Sequence, residues 1–553
     1  MAKNKGKKQK NIETVAESLY HFFRYLIDFL ICIYMLLILV VMPFYNEEGY
    51  SHIGTDKSTF FRNCTVQGSK FIIPTLIMWA IMWLVVYVQK NGWPKGKLPF
   101  ENIKMYCKEH CSITDCFALG YGISVILAYL CSDYKEEALW GTDGWYMGLI
   151  PQMTAVMVYF LVSRAWKERK WIVATVLPVS AVVFVLGYLN RFGIYPIDMK
   201  VELPSFISTI GNINWYCGYL VSVFFGGMLL LWQMDWKKTW QQFLLMAYVV
   251  IGFATLATQG SNSGILTMVV MFLLFFAMSA SDGKRMEMFW VEMLLFSVTC
   301  LITYVLRATD ILVVTYPDTM IDLFTNSILS VIMTCVSVVF LLWTHFSNQK
   351  GCYPEKVFTL LSKGVGGIFL IALVAYALVL IINTLSGGAI SNRLPASLEA
   401  VLTFSPTWGS NRGATWTAGW LCFKEQDFLH KLFGAGPDCM AVFLYTDGSA
   451  ELVSMVKECF GNARLTNAHN EWLTVLVNTG LLGLVSFVGM IVTAIKRFMS
   501  QRKINIIAGV CGVCVLAYTV NNMFSFQQSM SLATIFVILG VGENYMRKSI
   551  TQK

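Results

Sequence analysis

Runs of about 20 apolar residues recur along the whole chain. Each is long enough to cross ~30 Å of hydrocarbon as a helix. Lipid offers no hydrogen bonds to a backbone, so such runs must satisfy their own by coiling. This constraint predicts an all-α fold, a polytopic membrane helix bundle of about 14 transmembrane helices. Composition agrees, with 56% hydrophobic and 14% charged residues, where a soluble domain carries roughly 25% charged. The spans are expected near 25–44, 71–89, 114–132, 145–163, 171–189, 214–232, 240–258, 263–280, 288–306, 326–344, 364–385, 471–494, 504–520 and 526–545. A lysine-rich leader with no small-residue cleavage site precedes the first, which reads as an anchor rather than a removable signal.

Lysine and arginine gather in cytoplasmic loops. With the N-terminus inside, the inner segments hold 28 Lys and Arg and the outer segments 13. Six of those 13 fall in one long loop, 386–470, where the bias weakens. The short inner loops are basic, as in RAWKERK at 164–170 and KRFMSQRK at 496–503. The chain is therefore expected to cross a membrane many times, with both termini cytoplasmic. Most of the net charge of +9 is this orientation signal. The chain carries no aromatic-interleaved basic surface, so nucleic acid is not an expected partner, and the MAKNKGKKQK leader suits anionic membrane lipid instead.

Five regions follow: a basic segment 1–24, N-terminal membrane helices 25–200, central membrane helices 201–385, a large external loop 386–470 between the eleventh and twelfth spans, and C-terminal helices with a short tail, 471–553. The 85-residue loop is too long to lack structure of its own, so a folded cap or active-site element is expected. Within it, Trp416, Trp420, Phe423, Phe428 and Leu432 recur near helical spacing, which predicts an amphipathic helix suited to a membrane surface. Ser410 or Asn411 is placed to cap its start, and Gly434-Ala435-Gly436-Pro437 to stop it.

Arg412 falls at that helix start, where free N–H groups and a guanidinium fork together suit phosphate. His469-Asn470 stands where the loop meets the next apolar helix. The helix dipole there disfavours an imidazolium and leaves the base-competent neutral form. Each is also an ordinary residue for its place, a solvated arginine and an interfacial histidine. Most of the fifteen cysteines lie in spans as small apolar residues. Cys107, Cys111 and Cys116 around His110 lack zinc-site spacing, so no metal site is expected. Cys511 and Cys514 read as helix packing, and Cys439 and Cys459 are close enough in the loop to allow a disulfide.

The segment AHNEWLTVLVNTGLLGLVSF resembles the signature of the O-antigen ligase and O-antigen polymerase family of membrane glycosyltransferases. The match rests on His469, Asn470, Leu473, Gly480 and Gly483. FISTIGNINWYCGYL resembles the family's Gly-Asn-x-Asn segment through Gly211, Asn212 and Asn214. NRGATWTAGWLCF followed by KLFGAGPDCM resembles its arginine-plus-tryptophan helix and Gly-x-Gly. TQGSNSGILT, with Ser261 and Asn262, sits where the family has Ser-Arg. Asn262 is thus a departure that brings no charge, leaving Arg191, Arg393 or Arg464 to supply a phosphate contact. The likeness covers roughly 200–545.

The resemblance implies transfer of a glycan from undecaprenyl pyrophosphate to a glycan or lipid-glycan acceptor on the outer face of a bacterial cytoplasmic membrane, without metal or other cofactor, in surface polysaccharide biosynthesis. It implies catalytic roles for His469 and Arg412, and substrate binding by Asn470, Asn212, Asn214, Ser261, Asn262 and Arg393. It also implies contact with other polysaccharide-assembly proteins. Two readings stand beside it. A lipid-linked oligosaccharide flippase, or another multi-span transporter, should show a cationic cavity and related halves, and no internal repeat is visible. A non-enzymatic scaffold leaves Arg412 and His469 without a use.

Overall fold

The structure is a computed structural model and describes residues 14–92, 111–142, 145–235, 239–316, 319–392 and 394–551. Among them, 12 helices are long and apolar enough to cross a membrane, and two shorter apolar helices, Leu149–Arg164 and Ile506–Asn521, accompany them. These coincide one for one with the fourteen expected spans. The chain is an all-α polytopic bundle, and the strands are two residues each, Phe206–Ile207 paired antiparallel with Gly211–Asn212.

The largest boundary difference is at the second span, which runs as helix from Ile53 to Lys90 rather than from 71. Asp56, Lys57 and Arg62 make its first turns read as loop. Lys57 is nevertheless buried, and its ammonium donates to the carbonyls of Met42 and Pro43 at 2.7 and 2.9 Å. It satisfies backbone oxygens that the end of the first span leaves open.

Ile213–Gln233 is the axis of the bundle, nearly all of it buried. Its small residues admit large rings from neighbouring helices. Gly227 faces the Tyr248 ring, and Phe224 in turn fills the space over Gly252. Close approach through small residues is how helices associate where lipid removes the hydrophobic drive. By contrast, Glu355–Leu385 buries only Phe358 and Asn383 and turns the rest outward. At the end of the bundle that carries the 164–170 and 496–503 loops, buried carboxylates are paired. Asp28 meets Arg169 at 2.6 Å, Asp115 meets Arg164 at 2.7 Å, and Glu543 meets Arg497 at 2.5 Å.

The segment 386–470 lies at the other end and is folded. It contains helices Ala396–Leu402, Trp408–Glu425, Phe428–Phe433, Met440–Thr446 and Ala450–Phe460. Trp408–Glu425, Met440–Thr446 and Ala450–Phe460 share a hydrophobic core that includes Cys422, Cys439, Leu444 and Leu452. The expected amphipathic helix differs in two ways. It stops at Glu425, and Asp427 caps a separate short helix. Its buried stripe is Ala414, Ala418 and Cys422, while Trp420 and Phe428 are 54% and 79% exposed. Small residues one turn apart let this helix approach its neighbours closely, with Trp420 pointing away and Trp416 and Phe423 half-buried at the flanks. Cys439 and Cys459 are free thiols, not a disulfide.

The helix Glu471–Ser500 is broken at Gly480, whose φ of 66° and ψ of −171° are glycine territory. The break frees carbonyls, and the glycine-rich loop takes them up. Ala435 N–H donates to Val477 O at 3.0 Å, Gly436 N–H to Asn478 O at 3.1 Å, and the Gln426 amide to Val477 O at 2.9 Å. Gly434 is obligatory because a Cβ there would strike the Asn478 carbonyl. Gly480→Ala should therefore lower stability by about 2 kcal/mol or more, since its Cβ would also strike the Leu432 carbonyl. Gly364→Ala, in open space on the outer face, is the control. Melting of the detergent-purified protein should fall by several degrees for the first and hold for the second. Equal melting temperatures would remove the requirement for glycine at 480.

Candidate active site

The turn that joins Ile506–Asn521 to Ser529–Thr551 presents three consecutive carbonyls toward the 386–470 segment. Asn522 O accepts from Glu471 N–H at 3.0 Å. Met523 O accepts from the Asn470 amide at 3.0 Å, and Phe524 O accepts from Arg412 Nε at 3.1 Å. Glu471 is wholly buried and accepts hydrogen bonds from the Asn522 amide and the Tyr518 hydroxyl, the latter at 2.7 Å. The turn is thus clamped from both sides and holds Arg412, Asn470 and Glu471 in one place.

Arg412 is the first right-handed residue of its helix. Gly409, Ser410 and Asn411 before it form a left-handed turn, with φ of 60°, 60° and 67°. Such residues cost roughly 1–2 kcal/mol each when not glycine, and the strain is spent on aiming the guanidinium. No side chain caps this start, so neither Ser410 nor Asn411 has the expected capping role. Arg412 is 9% exposed. Its Nη1 donates to Gly409 O at 2.8 Å, and its guanidinium lies 5.9 Å from the Phe524 ring centroid. Among the described residues no carboxylate pairs with it, and Nη2 has no hydrogen-bond partner. Burial lowers its pKa, as expected for a cation held without a counter-charge.

His469 is close enough for that charge to act on it. Its φ is 48°, a left-handed conformation held by Asn467, whose Oδ1 accepts the His469 N–H at 2.9 Å. The imidazole lies edge-on to Phe526, centroids 5.1 Å apart. Its Nδ1 is buried without a partner. Burial first, and then the Arg412 charge, bring its pKa down to about 4. The direction matches the neutral imidazole read from the helix dipole, but these two causes are stronger. Asn470 has both ends of its amide engaged. Its Oδ1 caps the helix through Leu473 N–H at 3.0 Å, and its Nδ2 holds Met523. Both bonds are made within the protein and tie Asn470 to the helix start and to the 522–524 turn.

The second group of expected residues forms its own cluster. Asn212 caps Ile213–Gln233 through the Asn214 N–H at 2.9 Å. Asn214 Oδ1 accepts from Ser261 Oγ at 2.8 Å, and Ser261 and Ser263 hydroxyls meet at 2.9 Å. From there polar contacts continue inward. Ser263 reaches Cys217 Sγ at 4.0 Å, Cys217 reaches Asn521 at 3.4 Å, and Asn521 donates to Asn522 at 2.9 Å. Asn522 is the partner of Glu471, so one buried polar chain joins Ser261 to the helix that begins beside His469. Asn262 starts the next helix and is exposed. Arg191 is buried at a helix end and Arg464 is exposed over the Tyr445 ring. Arg393, Cys107 and His110 lie outside the described residues.

Three participants were given no role by the sequence. Asp438 is 6% exposed and accepts from Thr142 N–H at 2.8 Å and Met147 N–H at 3.1 Å, which ties the glycine-rich loop to the N-terminal half. Burial pushes its pKa up to about 7 against those two bonds. Asp438 and Glu471 line one small polar cavity of about 30 Å³, together with Asn467, Asn478 and Gln527. The third is the turn 522–524. Its contribution is backbone carbonyls, which no residue pattern announces.

Residues 319–488 match the family model described as O-antigen ligase. No curated protein matches the chain. The matched stretch contains Arg412, Asp438, His469 and Asn470, the 386–470 segment and the Gly480 break, while Asn214, Ser261 and the 522–524 turn lie outside it. It agrees with the family resemblance carried by the His-Asn motif and points to a glycosyltransferase activity of the ligase and polymerase type. Residues 319–488 of this multi-pass membrane protein match the O-antigen ligase family model, and the match supports the O-antigen ligase family for this part of the chain.

Proposed function

We propose that this protein transfers a glycan from undecaprenyl pyrophosphate to an acceptor sugar or glycan at the outer face of the bacterial cytoplasmic membrane, in surface polysaccharide biosynthesis. The observation that supports this most is Arg412, a buried guanidinium with no acidic partner among the described residues and a free Nη2. Keeping a cation so placed is costly unless an anion arrives. A pyrophosphate supplies that anion, and a guanidinium fork matches its oxygens. The reaction breaks the bond between the anomeric carbon and the pyrophosphate oxygen and forms one to an acceptor hydroxyl oxygen. Arg412 takes the charge that develops on the leaving pyrophosphate. His469 takes the acceptor proton. The reading uses no metal and no cofactor, because Arg412 supplies the positive charge. Asn214 and Ser261 bind donor or acceptor hydroxyls, and Asn470 positions His469.

A base with a pKa of about 4 is weak, and the proposal explains how it is strengthened. Bound pyrophosphate offsets the Arg412 charge, which raises the imidazole pKa in the complex. The sign follows: a base is active when neutral, so rates fall as pH drops through its pKa. The kcat/KM profile reports the free protein and should hold down to roughly pH 4. The kcat profile reports the complex and should turn down at higher pH. His469→Ala should cut transfer by at least about 100-fold without loss of fold. Purified enzyme with a synthetic undecaprenyl-pyrophosphate glycan and an acceptor provides the assay. Near-normal turnover in His469→Ala would remove the base role.

The proposed orientation places 386–470 outside and both termini in the cytoplasm, on the 28 to 13 charge split. An engineered cysteine at Ser449 should be labelled from outside intact cells, and one at Ser500 should not. The reverse pattern would put the site on the wrong face for an outward-facing donor.

A further inference from the structure

Two apolar cavities lie side by side at the end of the bundle away from the 386–470 segment. The first has a volume of about 240 Å³ and lies among Val176–Arg191, Ile213–Gln233, Ile506–Asn521 and Ser529–Thr551. The second, about 660 Å³, lies on the other flank, between Val176–Arg191, Ile213–Gln233 and Trp240–Thr258. Ala174, Leu177 and Leu230 line both, so they form a ridge with an apolar trench on each side. Gly226 and Gly227 form part of the wall of the first trench.

A single cation stands at the mouth of the first trench. Lys170 lines it and is exposed. The other basic residues of the same loop are engaged elsewhere. Arg164 pairs with Asp115, Arg169 pairs with Asp28, and Lys167 sits 3.7 Å from the Tyr25 ring centroid. Lys170 lines the trench, and the carboxylate that its charge reaches, Glu168, is itself paired with Lys548 at 3.2 Å.

We propose that this ridge and its two trenches bind one anionic diacyl phospholipid, with its headgroup phosphate on Lys170 and one acyl chain on each side of Leu177 and Leu230. Charge complementarity selects the headgroup, because basic pockets between spanning helices attract anionic lipid. The paired trenches select a two-chain lipid, because a single chain occupies only one of them. The site lies at the opposite end of the bundle from Arg412 and His469, so it is separate from the donor's pyrophosphate contact.

The full-length protein, purified in detergent, is incubated with equal amounts of phosphatidylglycerol and phosphatidylcholine of identical chains. Native mass spectrometry then counts the lipids retained. The wild type should retain one phosphatidylglycerol in about 5-fold preference, the worth of one lysine at an anionic surface. Lys170→Gln, an exposed change that leaves the bundle intact, should bring the two lipids to parity. Leu230→Trp, which fills the ridge between the trenches, should lower retention of both. Equal retention by the wild type, or an unchanged preference in Lys170→Gln, would overturn the proposal. Displacement of phosphatidylglycerol by equimolar undecaprenyl phosphate would also overturn it, by giving the trench to a single-chain prenyl lipid.

Discussion

Three successive backbone carbonyls, those of Asn522, Met523 and Phe524, hold the candidate site together. Each receives a donor from the loop and helix opposite: Glu471 N–H, the Asn470 amide and Arg412 Nε. Peptide carbonyls at a helix-to-helix turn are left without intrahelical partners, and here those vacancies are what position the chemistry. The donors come from two different elements, Trp408–Glu425 and Glu471–Ser500. Their relative placement therefore depends on a turn that touches both. Glu471 secures the turn in return, through Asn522 and Tyr518.

The second constraint is the broken helix. Gly480 ends the first half of Glu471–Ser500, and the Gly434–Gly436 loop closes over the carbonyls this frees. Asp438 then fastens the same loop to Thr142 and Met147. A span that unwinds where protein rather than lipid covers it is a permitted exception to helical continuity. Its consequence is a short rigid half-helix whose N-terminus carries Asn470 and, one residue earlier, His469. Within that frame Arg412 and His469 oppose each other electrostatically. Burial first, and the guanidinium second, hold the imidazole neutral and weakly basic, and the proposed pyrophosphate would offset the second of these. Donor binding and base activation are coupled in this reading without a conformational change.

The fold was legible in the sequence because lipid enforces it. Fourteen apolar runs became fourteen helices, and only their polar ends were misjudged. Lys57 shows why: its charge marks a loop by composition, yet it is buried against two carbonyls. The loop helix was legible by period but not by face. Large aromatics dominated the pattern, while the buried contact is made by Ala414, Ala418 and Cys422. In the site, His469 and Arg412 stood out as side chains with chemistry. Asp438 did not, because it looks like an ordinary loop acid until burial is known, and Glu471 stood out only as a carboxylate beside them. The 522–524 turn could not be read at all, since its contribution is backbone. Asn470 carried a family motif, and its amide holds both the helix start and the Met523 carbonyl, contacts the motif alone does not disclose.

The central claim is that Arg412 is held unpaired to receive the donor's pyrophosphate, and Arg412→Lys tests it most directly. The ammonium keeps the charge and loses the fork. Glycan transfer by purified Arg412→Lys, at equal expression and with the same synthetic lipid-linked donor, should fall about 100-fold, as when other preorganised charge-stabilising donors are removed. Transfer at the wild-type rate would contradict the account and leave Arg412 as a structural partner of Phe524.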